Sequence, residues 1–219
     1  MKREKSDSIN GEIGWKKACK TLSLTGETVL ELSLCWPEPE GKNMKSVRRY
    51  YQKLQESFQK QWETELYLCA CMDLAEKQES GSVFYPWCAS MAGEVIWMDE
   101  KYVSIAMKVQ EERGDRRILE YRWGDVWYWE DGCPVRLKEC VSGKRGWKEK
   151  LKKSFIEAAE GLRKQGIYLD LEKINCLHRY ISMEYFALTD QELIFYCPQC
   201  TVAPAVEGVL ELRVPRGEV

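Results

Sequence analysis

From Thr28 to Trp36 polar and apolar positions alternate: Leu30, Leu32, Leu34 and Trp36 face one way, Val29, Glu31, Ser33 and Cys35 the other. A period of two with one wholly apolar side predicts a half-buried strand. Pro37 and Pro39 end it, and Gly41-Lys42-Asn43 turns the chain. From Met44 to about Glu79 no Pro or Gly intervenes, and Val47, Tyr51, Leu54, Phe58, Trp62, Leu66, Cys69 and Met72 recur at helical spacing. That stripe predicts one long helix, straight or bent, with its charged side in water.

After Gly81 the period of two returns. Met91, Gly93, Val95 and Trp97 share a face, Met98-Asp99-Glu100-Lys101 turns, and Val103, Ile105, Met107 and Val109 alternate against Ser104, Ala106, Lys108 and Gln110. A second turn at Arg113-Gly114-Asp115-Arg116 leads to a strand with Leu119, Tyr121, Trp123, Trp127 and Trp129 on one side. Asp131-Gly132 is a tight-hairpin signal and predicts a further strand at Pro134 to Leu137. Trp147, Leu151, Phe155, Ala158 and Leu162 then form the stripe of a second helix, from near Gly146 to Gly166. A helical turn around Leu171 to Arg179 precedes strands at Tyr185–Leu188, Leu193–Tyr196 and Val209–Leu212. One-sided strands and striped helices predict an α+β fold, with antiparallel sheets covered by two long helices in two closely packed subdomains. The expected division is an N-terminal extension over 1–27, a first subdomain over 28–142 and a second over 143–219.

Composition narrows the class. Hydrophobic residues make up 44% of the 219 and charged residues 31%, the balance of a folded globular chain. A formal net charge of −2 gives no overall pull toward nucleic acid. No apolar run approaches the ~20 residues of a membrane helix, and the basic N-terminus lacks a signal peptide's apolar stretch. Read as a complete chain, the protein is expected in the cytoplasm; read as a piece of a longer one, it is an exported ectodomain. The ten cysteines are scattered through apolar segments, which predicts reduced, mainly buried thiols rather than a disulfide framework.

The order of these segments resembles the ectodomain of lysozyme-sensing anti-sigma factors of the RsiV type, a family better known as a domain of unknown function. The first part of that layout has a strand ending in an aromatic-Pro pair, here Trp36-Pro37. A long helix follows, then a meander closing on a Gly turn and a Leu, here Asp131-Gly132 and Leu137. The second part has an amphipathic helix and a Phe-x-Leu strand, here Phe186-Ala187-Leu188. Thr201-Val202-Ala203-Pro204 and Gly208 match its last motif, with Cys200 where a Tyr is usual. At the Gly-Gly-Ala-His turn this chain instead has Arg113-Gly114-Asp115-Arg116-Arg117. Similar paired domains also precede the catalytic domains of some peptidoglycan deacetylases. The resemblance implies a noncatalytic binding or sensing module, with a protein or cell-envelope-related partner.

Candidate chemistry is sparse. Cys197-Pro198-Gln199-Cys200 has the spacing of a redox dithiol, but such chemistry draws on a helix N-terminus, and Thr201-Val202 and Pro204 follow instead. Joined by Cys176 and His178 the pair could form a zinc set, although two donors on either side of one residue point apart on a helical turn. His178 is the single histidine, and no nucleophile elbow, phosphate loop or zinc-protease motif accompanies it. Lys144, Arg145, Lys148, Lys150, Lys152 and Lys153 read as a solvated helix face. The row Tyr121, Trp123, Trp127 and Trp129 could anchor a ligand or be core beneath a helix. Candidate binding residues are therefore Tyr121, Trp123, Trp127 and Trp129 with Cys197, Pro198, Cys200 and Pro204. No catalytic residue, metal or cofactor is expected; the alternative is a small thiol-dependent redox or metal-binding protein using Cys197 and Cys200.

Overall fold

The computed structural model describes residues 12–114, 116–141 and 145–218. Strands β1 (Ile13–Leu24) and β2 (Glu27–Pro39) form a hairpin. Thr25 and Gly26 close it, with φ of 51° and 89°. Two consecutive left-handed residues make the turn whose twist suits a pair of strands. Residues 13–24 of the expected N-terminal extension are thus an edge strand. Lys16, Lys17 and Lys20 break its alternation, as an edge tolerates because its backbone bonds need only one partner.

The predicted long helix is continuous but not uniform. Helix α1 (Lys45–Gln61) passes through a wider turn (Trp62–Leu66) into α2 (Tyr67–Ser80). In that turn the Tyr67 N–H reaches the Trp62 carbonyl, five residues back. The buried positions Trp62, Leu66, Ala70 and Leu74 recur every fourth residue. On a regular α-helix such a row drifts about 40° per step, and a wider turn takes up part of the drift. Trp62 therefore stays fully buried.

Strands β3 (Trp87–Met98), β4 (Tyr102–Arg113) and β5 (Arg116–Tyr128) form the expected meander, and the sheet runs β1-β2-β3-β4-β5. It is not purely antiparallel: β2 and β3 pair in parallel, from Leu30 opposite Trp87 to Leu34 opposite Met91. The long helix carries the chain back before β3 begins, as a parallel connection requires. The strand expected at Pro134–Leu137 shrinks to a single bridge between Trp127 and Pro134. Proline has no N–H to continue a ladder, and Leu137 already opens the short α3 (Leu137–Cys140).

Helix α4 (Trp147–Lys164) and the single turn α5 (Leu171–Ile174) lead to β6 (Phe186–Leu188), β7 (Glu192–Cys197) and β8 (Leu210–Pro215). These strands make an antiparallel sheet in the order β6-β7-β8. The division expected near Ser142, with Lys144 beside it, falls outside the described residues.

Four layers result: the long helix, the five-stranded sheet, the three-stranded sheet and α4. Leu30, Met91, Ile105 and Val109 pack under the long helix. Phe186, Phe195 and Leu212 pack on Leu151 and Phe155 of α4. Between the sheets lie Ala106, Ala187, Ile194 and Tyr196. The β4 face that reads as polar is consequently covered: Ser104 and Ala106 are buried. Ser104 Oγ accepts from the Leu188 N–H at 2.7 Å, tying β4 to β6.

Gly124 is where the two sheets meet most closely. A Cβ there would overlap the Phe186 carbonyl carbon and the Ala187 nitrogen, both backbone atoms. Gly124→Ala should therefore cost upward of roughly 2 kcal/mol, as overpacking against backbone does. Urea unfolding at matched slope is the measurement; a loss within about 0.5 kcal/mol, the usual size of a neutral substitution, would show that the sheets slide apart easily.

Candidate functional site

Strand β5 puts Tyr121, Trp123, Asp125 and Trp127 on the side facing the long helix, because alternate side chains share a face. Burial rises along the row. Tyr121 is 48% exposed, Trp123 is half-buried and Trp127 keeps only 7% exposure. Trp129, just past the strand, is also buried. One aromatic row is thus open at one end and core at the other.

The open end forms one wall of a cleft of about 440 Å³. Tyr50, Leu54, Phe58 and Gln61 of α1 supply the facing wall, and Glu111, Arg122 and Tyr185 complete the lining. Phe58 stacks on Trp123 at 6.3 Å between ring centres and tilts against Trp62 at 5.6 Å. The Trp62 indole N–H donates to Glu111 Oε1 at 2.8 Å, so the wider helical turn fixes one side of the cleft.

Asp125 anchors the inner end. The Trp123 indole N–H and the Tyr51 hydroxyl each donate to its Oδ2 at 3.0 Å, and the Tyr50 hydroxyl reaches Oδ1 at 3.4 Å. The Trp127 indole N–H donates in turn to the Tyr51 oxygen at 3.1 Å. Burial pushes the Asp125 carboxyl up to about 6, with the three hydrogen bonds pulling the other way. Burial and the neighbouring Asp125 charge likewise raise the Tyr50 and Tyr51 hydroxyls, which stay protonated donors.

The second group of predicted site residues lies elsewhere. Cys197 ends β7 and is buried, while Pro198, Cys200 and Pro204 are exposed in the loop before β8. That loop meets the opposite face of β5: Gln199 Nε2 donates to the Ile118 carbonyl at 3.4 Å and Arg117 to the Val206 carbonyl at 3.0 Å. Aromatic row and cysteine loop do not form one site.

Burial raises the Cys197 thiol, while a contact of 3.2 Å with Thr201 Oγ1 acts the other way. All ten cysteines are unpaired, but only Cys140 and Cys197 are buried. The expectation of mainly buried thiols is thus corrected. Cys19 and Cys69 sit on outer faces of β1 and α2, and Cys133 and Cys200 sit in turns. Among the described residues no group of three or more His, Cys, Asp or Glu could hold a metal ion.

Sequence patterning misses the facing wall. Tyr50 stands one residue off the apolar stripe of α1, and Tyr185 precedes β6. Only the pairing of helix with strand brings them together, and local periodicity carries no trace of it. The adjacent aromatics Tyr50-Tyr51 were the one available signal.

Two solved structures share this fold over nearly its whole length. A DUF3298 family member from Bacteroides fragilis superposes with a TM-score of 0.63 at 15% identity, covering 95% of this chain and 91% of that one. A DUF3298 family protein from Pseudomonas aeruginosa gives 0.56 at 11% identity, over 93% and 91%. No protein-family profile matches the sequence, and no curated protein does. The chain therefore has the DUF3298 fold, an α+β arrangement of the kind that the resemblance implied. The cytoplasmic placement does not stand: the likeness is to the domain-of-unknown-function class whose ectodomain members the resemblance named. The cytoplasmic expectation rested on the lack of an apolar stretch in the first twenty residues, from which no location follows. No described helix is long and apolar enough to cross a membrane.

Asp125 gives a pH signature with a defined sign. An unfolded Asp ionises near 4, whereas in the fold this carboxyl ionises near 6. Below both values the two states bind the proton alike; between them the unfolded chain releases it first, so stability falls as pH rises from about 4 to 6 and then stays lower. The stability of the wild type minus that of Asp125→Asn should fall by roughly 2–3 kcal/mol from pH 4 to pH 7, read from urea unfolding at each pH. A difference that stays constant would place the raised carboxyl elsewhere.

Proposed function

We propose that this chain is a noncatalytic binding and sensing module of the RsiV ectodomain type, which holds a protein partner in the aromatic cleft between α1 and β5. One observation carries the reading. Tyr121 and Trp123 present open aromatic surface while Asp125, Tyr51 and Trp127 fix their inner neighbours by hydrogen bonds. Aromatic anchors that are rigid before contact lose little entropy on binding, and they dominate the energetics of interfaces. The near-full-length DUF3298 fold is consistent with this role.

Lysozyme, the ligand that the RsiV resemblance implies, is the direct probe. Interferometry on the immobilised chain should give a dissociation constant on the order of micromolar or tighter, weakened at least tenfold by Trp123→Ala and by Tyr121→Ala. No binding by the wild type would remove the RsiV-type role. Unchanged binding by both variants would move the partner off the cleft.

The second reading, a small thiol-dependent redox or metal-binding protein, is favoured by two unpaired thiols three positions apart. Cys200 is exposed in the left-handed conformation, with φ of 61°, and Cys197 ends the preceding strand. Iodoacetamide discriminates between the readings. Slow labelling of native Cys197 at neutral pH is expected, since burial raises its thiol; labelling of both cysteines faster than an unfolded control would favour the thiol chemistry.

A further inference from the structure

A pocket of about 330 Å³ opens on the face of the five-stranded sheet turned away from the long helix. Ala92, Lys108 and Arg122 are direct neighbours across β3, β4 and β5, and Glu94 stands opposite Ala106 in the next row. Across the pocket the three-stranded sheet contributes Tyr196 and Glu211, which pair directly between β7 and β8. Ala92 and Ala106 are too short to fill the space between these longer side chains.

Three of the lining groups lack adequate partners. Tyr196 is 7% exposed and its ring packs with Ala106 and Ile194, yet its hydroxyl makes no hydrogen bond among the described residues. That hydroxyl opens into the pocket, and a buried polar group left unpaired is costly. Burial and the charges of Glu211 and Glu94 raise it far above the ordinary tyrosine value, so it stays a protonated donor. Lys108 reaches a carboxylate only at 4.0 Å, on Glu120, which Arg117 and Arg122 already hold. Glu94 forms no ion pair among the described residues, whereas Glu211 gives its two oxygens to Arg122 and Arg213 at 3.0 and 3.1 Å.

We propose that this pocket binds a small zwitterion of the α-amino-acid class, its carboxylate taken by Lys108 and the Tyr196 hydroxyl and its ammonium by Glu94. The balance of charge selects the class. A simple anion would face Glu94 and Glu211, and a simple cation would face Lys108 and Arg122. A ligand carrying both signs satisfies Lys108 and Glu94 together, through charge-assisted hydrogen bonds, which are the stronger kind. Size agrees, because 330 Å³ lies near the lower end of the roughly 300–1,000 Å³ of ligand pockets. The site goes beyond the binding-module reading: it shares only Arg122 with the aromatic cleft, so the two stand or fall independently.

Calorimetric titration of the whole chain with L-alanine and L-leucine tests it. Each is compared with the acid lacking its amine and the amine lacking its carboxyl: propionate and ethylamine, isocaproate and isopentylamine. At least one amino acid should bind with a dissociation constant on the order of 1 mM or tighter, and its single-charge counterparts at least about tenfold more weakly. Tyr196→Phe, which keeps the ring, should weaken binding about tenfold. Ala92→Leu, at an exposed position, should abolish binding by filling the pocket while the urea midpoint stays at the wild-type value. No binding of either amino acid at about 10 mM overturns the proposal. Equal binding of the single-charge probes overturns it too, as does binding that is unaltered in either variant.

Discussion

Covering both faces of the strand pair β4–β5 is the constraint on which the rest of the structure depends. One face must carry the long helix and the other must admit a second sheet, so β4 keeps no solvent side along its middle and β5 none from Gly124 to Trp127. Val103, Ile105 and Met107 satisfy the first demand. Ser104, Ala106 and Gly124 satisfy the second by being small, and Ser104 gives the approaching β6 backbone an acceptor. Buried backbone must find a hydrogen-bond partner. A side-chain hydroxyl is a way to supply one where two sheets cross and no ladder is possible.

That geometry also creates the candidate site. Packing the three-stranded sheet against β5 fixes the strand's position, and the helix then covers its other face only from Phe58 inward. The row from Tyr121 to Trp127 passes from water to core within a few residues, and Asp125 sits at the boundary. A carboxylate there is held by neutral donors and ionises reluctantly. Stability alone would favour an apolar residue of similar shape. Held in a network with two tryptophans and two tyrosines, this carboxylate breaks a local rule of folding, and such breaks are expected at functional positions.

How much was legible in the sequence divides along physical lines. Elements with a continuous apolar period were read within one to three residues, as with Thr28–Trp36 inside β2 and Met44–Glu79 along the two-part helix. The strand β1 escaped because its apolar residues shift from odd positions, Ile13 and Trp15, to even ones, Ala18, Leu22 and Leu24, and lysines interrupt them. Parallel pairing of β2 with β3 also escaped, since period two is the same in either direction. Tyr121 and Trp123 were visible as an aromatic row. Tyr50, Phe58 and Tyr185 as their companions were not, because side chains drawn from three distant segments meet only after the layers assemble.

The wider turn at Trp62–Leu66 joins these two levels. A helix whose buried positions fall every fourth residue must either rotate its apolar face off the sheet or unwind slightly, and the chain unwinds where Trp62 meets Glu111. Wider turns of this kind often occur beside functional positions. Here the position is structural first: it keeps Trp62 and Leu66 in the core, and by doing so presents Phe58 and Gln61 to the cleft instead of to solvent. The same unwinding that keeps the helix on the sheet therefore shapes one wall of the cleft.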